Sequence, residues 1–160
     1  MVSEKQPNPA EDLSRLYRET VMRHAREPVG YGQSIGSTHR HEEHNPQCGD
    51  RVVMKVRVAG ERIEAAAFEG EACAICMASA SMLCEEFAEG SVRDLAGMHD
   101  ALLLSLGAQV SGDVKTTQRP APTAQLSALL GVKKYPSRIR CATLPWSAAL
   151  RAVFGGQPDT

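Results

Sequence analysis

Residues 51–68 alternate in character over part of their length. Val52, Met54, Val56 and Val58 are separated in part by Lys55 and Arg57, which is the pattern of a half-buried strand. Ala59-Gly60-Glu61 supplies a turn, and residues 62–68 read as the returning strand, so 51–68 is expected to be an antiparallel hairpin. The period then changes. Cys73, Cys76, Ala80, Leu83, Cys84 and Phe87 recur at helical spacing and predict a helix over about 72–88, closed by Gly90. A hairpin running straight into a helix restricts the fold to a small sheet with a helical layer.

The flanks add helices. Asn8-Pro9-Ala10-Glu11 has a capping residue, a first-turn proline and an acid three after the cap. Leu13, Leu16, Tyr17, Val21 and His24 follow as one apolar stripe, ended by Pro28. Residues 29–47 are polar and read as loop or weak edge strand, 92–106 as one or two short helices, and 107–121 as loop. Leu126, Leu129 and Leu130 mark another short helix, followed by a basic connection to Arg140. A final helix is expected over about 143–154, with Pro145 in its first turn. The predicted fold is α+β: an antiparallel sheet of about three strands, with helices mainly on one face. The expected domain is 9–155, between tails at 1–8 and 156–160.

Charge narrows the function. With 18 basic and 19 acidic side chains and 4% aromatics, nothing favours nucleic acid or an anionic membrane surface. No apolar run is long enough to span a bilayer, and the polar N-terminus lacks a signal peptide's apolar stretch, so a cytoplasmic monomer is expected. In that setting an odd count of five cysteines argues for metal or thiol chemistry over disulfides. Three of them, Cys48, Cys73 and Cys141, stand at expected junctions between loops and regular elements, and Asp50 follows Cys48 by two residues. Three thiolates and a carboxylate suit tetrahedral Zn²⁺ or an iron–sulfur cluster. The spacing alone is not that of a zinc finger.

The local motifs are more specific. Asn45-Pro46-Gln47-Cys48-Gly49-Asp50, the run from Phe68 to Ile75, Ala78-Ser79-Ala80-Ser81-Met82 and the run from Arg138 to Trp146 resemble the IscU/SufU family in order and over nearly the whole chain. Leu16-Tyr17, His24 and Pro28 fit as well. The resemblance leans to the SufU branch, because Arg140 stands where IscU proteins carry a histidine and the 92–125 stretch is similar to a SufU insertion. It implies Zn²⁺ held by Cys48, Asp50, Cys73 and Cys141, with Cys48 as the sulfur acceptor. The implied partner is a SufS-type, pyridoxal-phosphate cysteine desulfurase, with other Suf assembly proteins beyond it. Arg140 is read as steering sulfur or the partner, or as a solvated cation. The alternative function is a scaffold for a [2Fe–2S] cluster.

Three features stand outside that pattern. Cys76 replaces the family's usual serine and makes a C-x-x-C with Cys73; its place in the stripe assigns it to the core, against a redox pair or an extra ligand. His39, His41 and His44 read as a solvated loop, against a second metal site. His41-Glu42-Glu43 with Cys73-x-x-Cys76 echoes the zinc deaminase pattern, but Ala72 stands where that pattern needs proline.

Overall fold

A computed structural model describes residues 9–107, 122–155 and 157–158. The expected hairpin forms from β2 (Asp50–Ala59) and β3 (Arg62–Glu71), which pair antiparallel with Met54 opposite Phe68 and Val56 opposite Ala66. That register puts Val52, Met54, Val56, Ile63, Ala66 and Phe68 on one buried face. The other face carries the ion pairs Lys55–Glu69 and Arg51–Glu42.

The polar segment before the hairpin is a strand in its own right, β1 (His39–Asn45), paired along its full length with β2. Its inward residues Glu43 and Asn45 are buried. Burying a carboxylate requires a partner, and Glu43 has two: Arg151 and His41. Two-residue strands β4 (Gly90–Ser91) and β5 (Gln157–Pro158) complete a five-stranded sheet in the order β4-β3-β2-β1-β5. The expected three strands are therefore its long members, and β1 realises the strand alternative of the loop-or-edge-strand expectation for 29–47.

Helix α1 (Pro9–Arg26) bears the expected stripe only in part. Tyr17 and Val21 pack on the core and His24 is buried, but Leu16 is 55% exposed. Helix α2 (Ala74–Glu86) holds the predicted cysteine stripe and is buried well beyond it, from Ala78 to Cys84 without a break. The run Ala78-Ser79-Ala80-Ser81 is small, so α1 and α4 both approach closely. Ser91 caps α3 (Val92–Ser105) by accepting the Asp94 N–H, which resolves the 92–106 stretch into a single helix. The 107–121 loop expectation falls almost wholly outside the described residues. A 3₁₀ helix (Leu126–Lys134) follows.

The last helix, α4, runs from Pro136 to Phe154 and lies against β1, β2, α2 and α3. It starts well before the expected residue 143. The proline that defines its first turn is Pro136, and Pro145 lies in the interior. Cys141 is consequently a helical residue and not a junction residue.

Candidate metal centre

The strand β1 ends in a tight turn. The Gly49 N–H donates to the Asn45 carbonyl at 2.8 Å, and the Gln47 N–H to Asn45 Oδ1 at 3.3 Å. Gly49 takes a left-handed φ of +76°, which glycine adopts without steric cost. This turn holds Cys48 out at the surface, while Asp50, the first residue of β2, points inward and is 2% exposed.

Cys73 arrives from the other end of the hairpin. At Gly70, φ is +135° and a Cβ would lie 2.2 Å from the Arg51 carbonyl oxygen, so only glycine lets β3 run this close to β2. The chain then enters α2 with Cys73 as its N-cap residue, one position before the first turn and not inside it as a helix from about 72 predicts. The Cys73 thiol caps nothing; its N–H donates instead to Asp50 Oδ1 at 2.7 Å. A carboxylate from a neighbouring strand thus sits at the positive end of α2.

Asp50 Oδ2 gathers the thiols. It accepts from Cys48 Sγ at 3.0 Å and lies 3.5 Å from Cys73 Sγ, while Cys48 Sγ and Cys141 Sγ are 3.5 Å apart. Cys48, Asp50 and Cys141 are mutually close enough to share an ion, and they form the only such group among the described residues. Cys73 joins it through Asp50. Three of the four residues predicted from the sequence therefore lie close enough to share an ion, with Cys73 beside Asp50 but outside that group. The two sulfurs and one oxygen of the group are ligand types that Zn²⁺ takes, and the Cys73 thiol would supply a third sulfur.

The electrostatics match the packing. Burial alone would raise the Asp50 carboxyl, but the hydrogen bonds it accepts from Cys48, the Cys73 N–H and the other thiols outweigh it and hold the group below its ordinary value. Cys141 is pushed up, first by burial and then by sharing hydrogen bonds with Asp50 and Cys48. Cys76 is pushed up by burial and by the negative site above it, and Cys84 by burial alone. Both belong to the hydrophobic core, as the stripe predicted.

Arg138 is the residue that sequence reading missed. It lies one helical turn before Cys141 on the exposed side of α4, and the thiols of Cys141 and Cys73 raise its pKa through hydrogen bonding and charge. The signal was an i, i+3 spacing on a helix, invisible while the helix was expected to begin at 143. Arg140 is exposed too, but successive helical residues point about 100° apart, and only its backbone carbonyl has an assigned bond, from the Thr143 hydroxyl. The histidines do not converge. His39 and His41 face the helices with Glu43, His44 faces the opposite side, and His41 and His44 each pair with a glutamate.

The model for the NifU-like N-terminal domain matches residues 16–142. The chain belongs to the NifU-N/IscU/SufU family. It is an iron–sulfur cluster assembly protein of the IscU/SufU kind. It is 32% identical over 145 residues to the zinc-dependent sulfurtransferase SufU of Bacillus subtilis, covering 89% of this chain and 92% of that one. Against the iron–sulfur cluster assembly scaffold protein IscU of Streptococcus pyogenes it is 33% identical over 141 residues, covering 88% and 84%. Among solved structures, one described as a SUF-system scaffold protein from Fervidobacterium islandicum superposes with a TM-score of 0.65 at 25% identity, covering 84% of this chain and 94% of that one. A NifU-like N-terminal domain from Brucella abortus gives 0.71 at 19% identity, with 88% and 94% covered, and speaks to the fold alone. Among the described residues no helix is long and apolar enough to cross a membrane.

Proposed function

We propose that this family member is a zinc-dependent sulfur acceptor. It takes sulfur from the persulfide of a SufS-type, pyridoxal-phosphate cysteine desulfurase and stimulates that enzyme. The observation that carries the reading is the unequal exposure of the donor set. Cys48 stands exposed on a glycine turn, whereas Asp50 and Cys141 are 2% and 0% exposed.

Zn²⁺ bound by Cys48, Asp50, Cys73 and Cys141 supplies the positive charge that keeps thiols deprotonated near neutral pH. Cys48 is the donor a second protein can reach. Its thiolate attacks the outer sulfur of the incoming persulfide. A bond forms between Cys48 Sγ and that sulfur, the S–S bond of the donor breaks, and the donor cysteine leaves as a thiolate. No oxidant is consumed. Asp50, Cys73 and Cys141 remain as the inner wall of the site. Arg138 offers a permanent cation to the sulfur anion, and Arg140 faces outward, towards the partner.

The absence of a histidine before Cys141, where Arg140 stands, favours zinc over a cluster. The second reading, a scaffold for a [2Fe–2S] cluster, is supported by the near-equal identity to the IscU relative. Desulfurase turnover with and without the purified protein separates the two. The zinc-loaded chain is expected to raise turnover and to gain one sulfur on Cys48 by mass spectrometry, and Cys48→Ala to do neither. Normal sulfur uptake by Cys48→Ala sinks the proposal. No stimulation, together with an anaerobically built cluster that passes to an apo-ferredoxin, favours the scaffold.

A further inference from the structure

Proline has no N–H, so Pro145 leaves the carbonyl of the residue four before it, Cys141, without an intrahelical donor. The backbone of α4 is therefore weakest at the turn that carries a site thiol. Ser79 of α2 sits against this turn. Its hydroxyl donates to the Ala142 carbonyl, and its Oγ accepts the Trp146 Nε1–H at 3.0 Å. Ser79, Ala142 and Trp146 are all 0% exposed, and Trp146 is held edge-on against Phe87 with ring centroids 5.8 Å apart.

Propensity alone does not explain a serine here. Alanine is the better helix former, and a buried hydroxyl must find partners inside the protein. Ser81, two residues on, spends its hydroxyl on α1: its Oγ lies 2.7 Å from His24 Nδ1 and accepts the Val29 N–H. Ser79 spends its own on α4. One helix thus carries Cys73 at its N-cap and a bond to the residue next to Cys141.

We infer that Ser79 is a positioning residue for the metal centre. Its bond to the Ala142 carbonyl, next to the Cys141 carbonyl that Pro145 leaves without a donor, ties this weakened turn of α4 to α2 and fixes the Cys141 thiol against Asp50 and Cys48. This rests on the reading of the four-residue set as a metal centre.

The test uses the full chain with Co²⁺ as a spectroscopic probe, titrated against a competing chelator. A second readout is iodoacetamide labelling of Cys141 in the metal-free protein, mapped by mass spectrometry. Ser79→Ala is expected to weaken Co²⁺ binding about tenfold, the low end of the effect of removing an outer hydrogen bond around a metal. It also shifts the ligand-field bands and labels Cys141 severalfold faster. Ser79→Thr keeps the hydroxyl and restores both values, and Ser79→Cys, a weaker donor in the same space, falls between. Trp146→Phe leaves the Ser79–Ala142 bond in place, so it lowers Tm and changes neither readout. Wild-type affinity and labelling in Ser79→Ala, or equal effects from Trp146→Phe, overturn the inference. A wild-type chain that ignores Co²⁺ while Ser79→Ala still labels faster ends the metal reading and leaves the positioning role standing.

Discussion

The Cys48 turn and the Cys141 turn meet at one point, yet they are built on opposite principles. The first is a surface turn closed by local bonds donated to Asn45, with open space around Gly49. The second is a buried helical turn held by neighbours on β2 and α2. One thiol is easy to move and the other is not. A site that must keep its inner wall while releasing one arm gains from that asymmetry.

The hairpin beside the site gives the harshest test of it. Gly70→Ala drives a Cβ into the Arg51 carbonyl and is expected to cost about 3 kcal/mol or more. Gly49→Ala, with the same kind of φ but nothing near it, should cost about 1 kcal/mol. Urea unfolding of both variants measures the gap; equal losses would mean that the close approach of β3 to β2 at Gly70 costs nothing beyond its φ. In the metal-free protein, Cys141→Ala should then cost about 1–2 kcal/mol through a buried void. Cys48→Ala at the surface should stay within about 0.5 kcal/mol. A Cys48→Ala loss as large as that of Cys141→Ala breaks the comparison.

Titration gives the smallest and most specific effect. The folded Asp50 pKa lies below its unfolded value, so the folded state binds fewer protons there. Its contribution is fully present above about pH 4 and is lost as pH falls through the folded value. Cys141 is raised, so its contribution is present below about pH 8.5 and is lost as pH climbs through the folded value. Metal-free stability should therefore fall at both ends. Asp50→Asn should flatten the acid limb and Cys141→Ala the alkaline one, as read from Tm against pH. Unchanged limbs would show that neither group is linked to folding.

The same asymmetry decided what could be read from the sequence. The hairpin and α2 were legible because a set of their apolar residues recurs at strand and at helix spacing, although burial in α2 runs well beyond that set. The strand β1 was legible only as one of two alternatives, because Glu43 and Asn45 face the protein interior and Glu43 answers to Arg151, far along the chain. Pro145 masked the true start of α4. That error moved Cys141 to a junction and hid Arg138, although the motifs did point to the three residues that lie close enough to share an ion. Leu16 follows a helical period but meets no neighbour that covers it, which a stripe cannot reveal.

The candidate donors lie in the turn before β2 and at its first residue, at the start of α2 and inside α4, with Cys141 93 positions after Cys48. A chain emerging from the ribosome offers its first two cysteines early, but in a segment whose fourth donor does not yet exist. On the proposed metal reading, loading is a late event, delayed until the last helix has been made and has docked. Until that moment the thiols are open to oxidation and to wrong partners, so translation rate and metal supply near the ribosome bear on how much working protein a cell obtains.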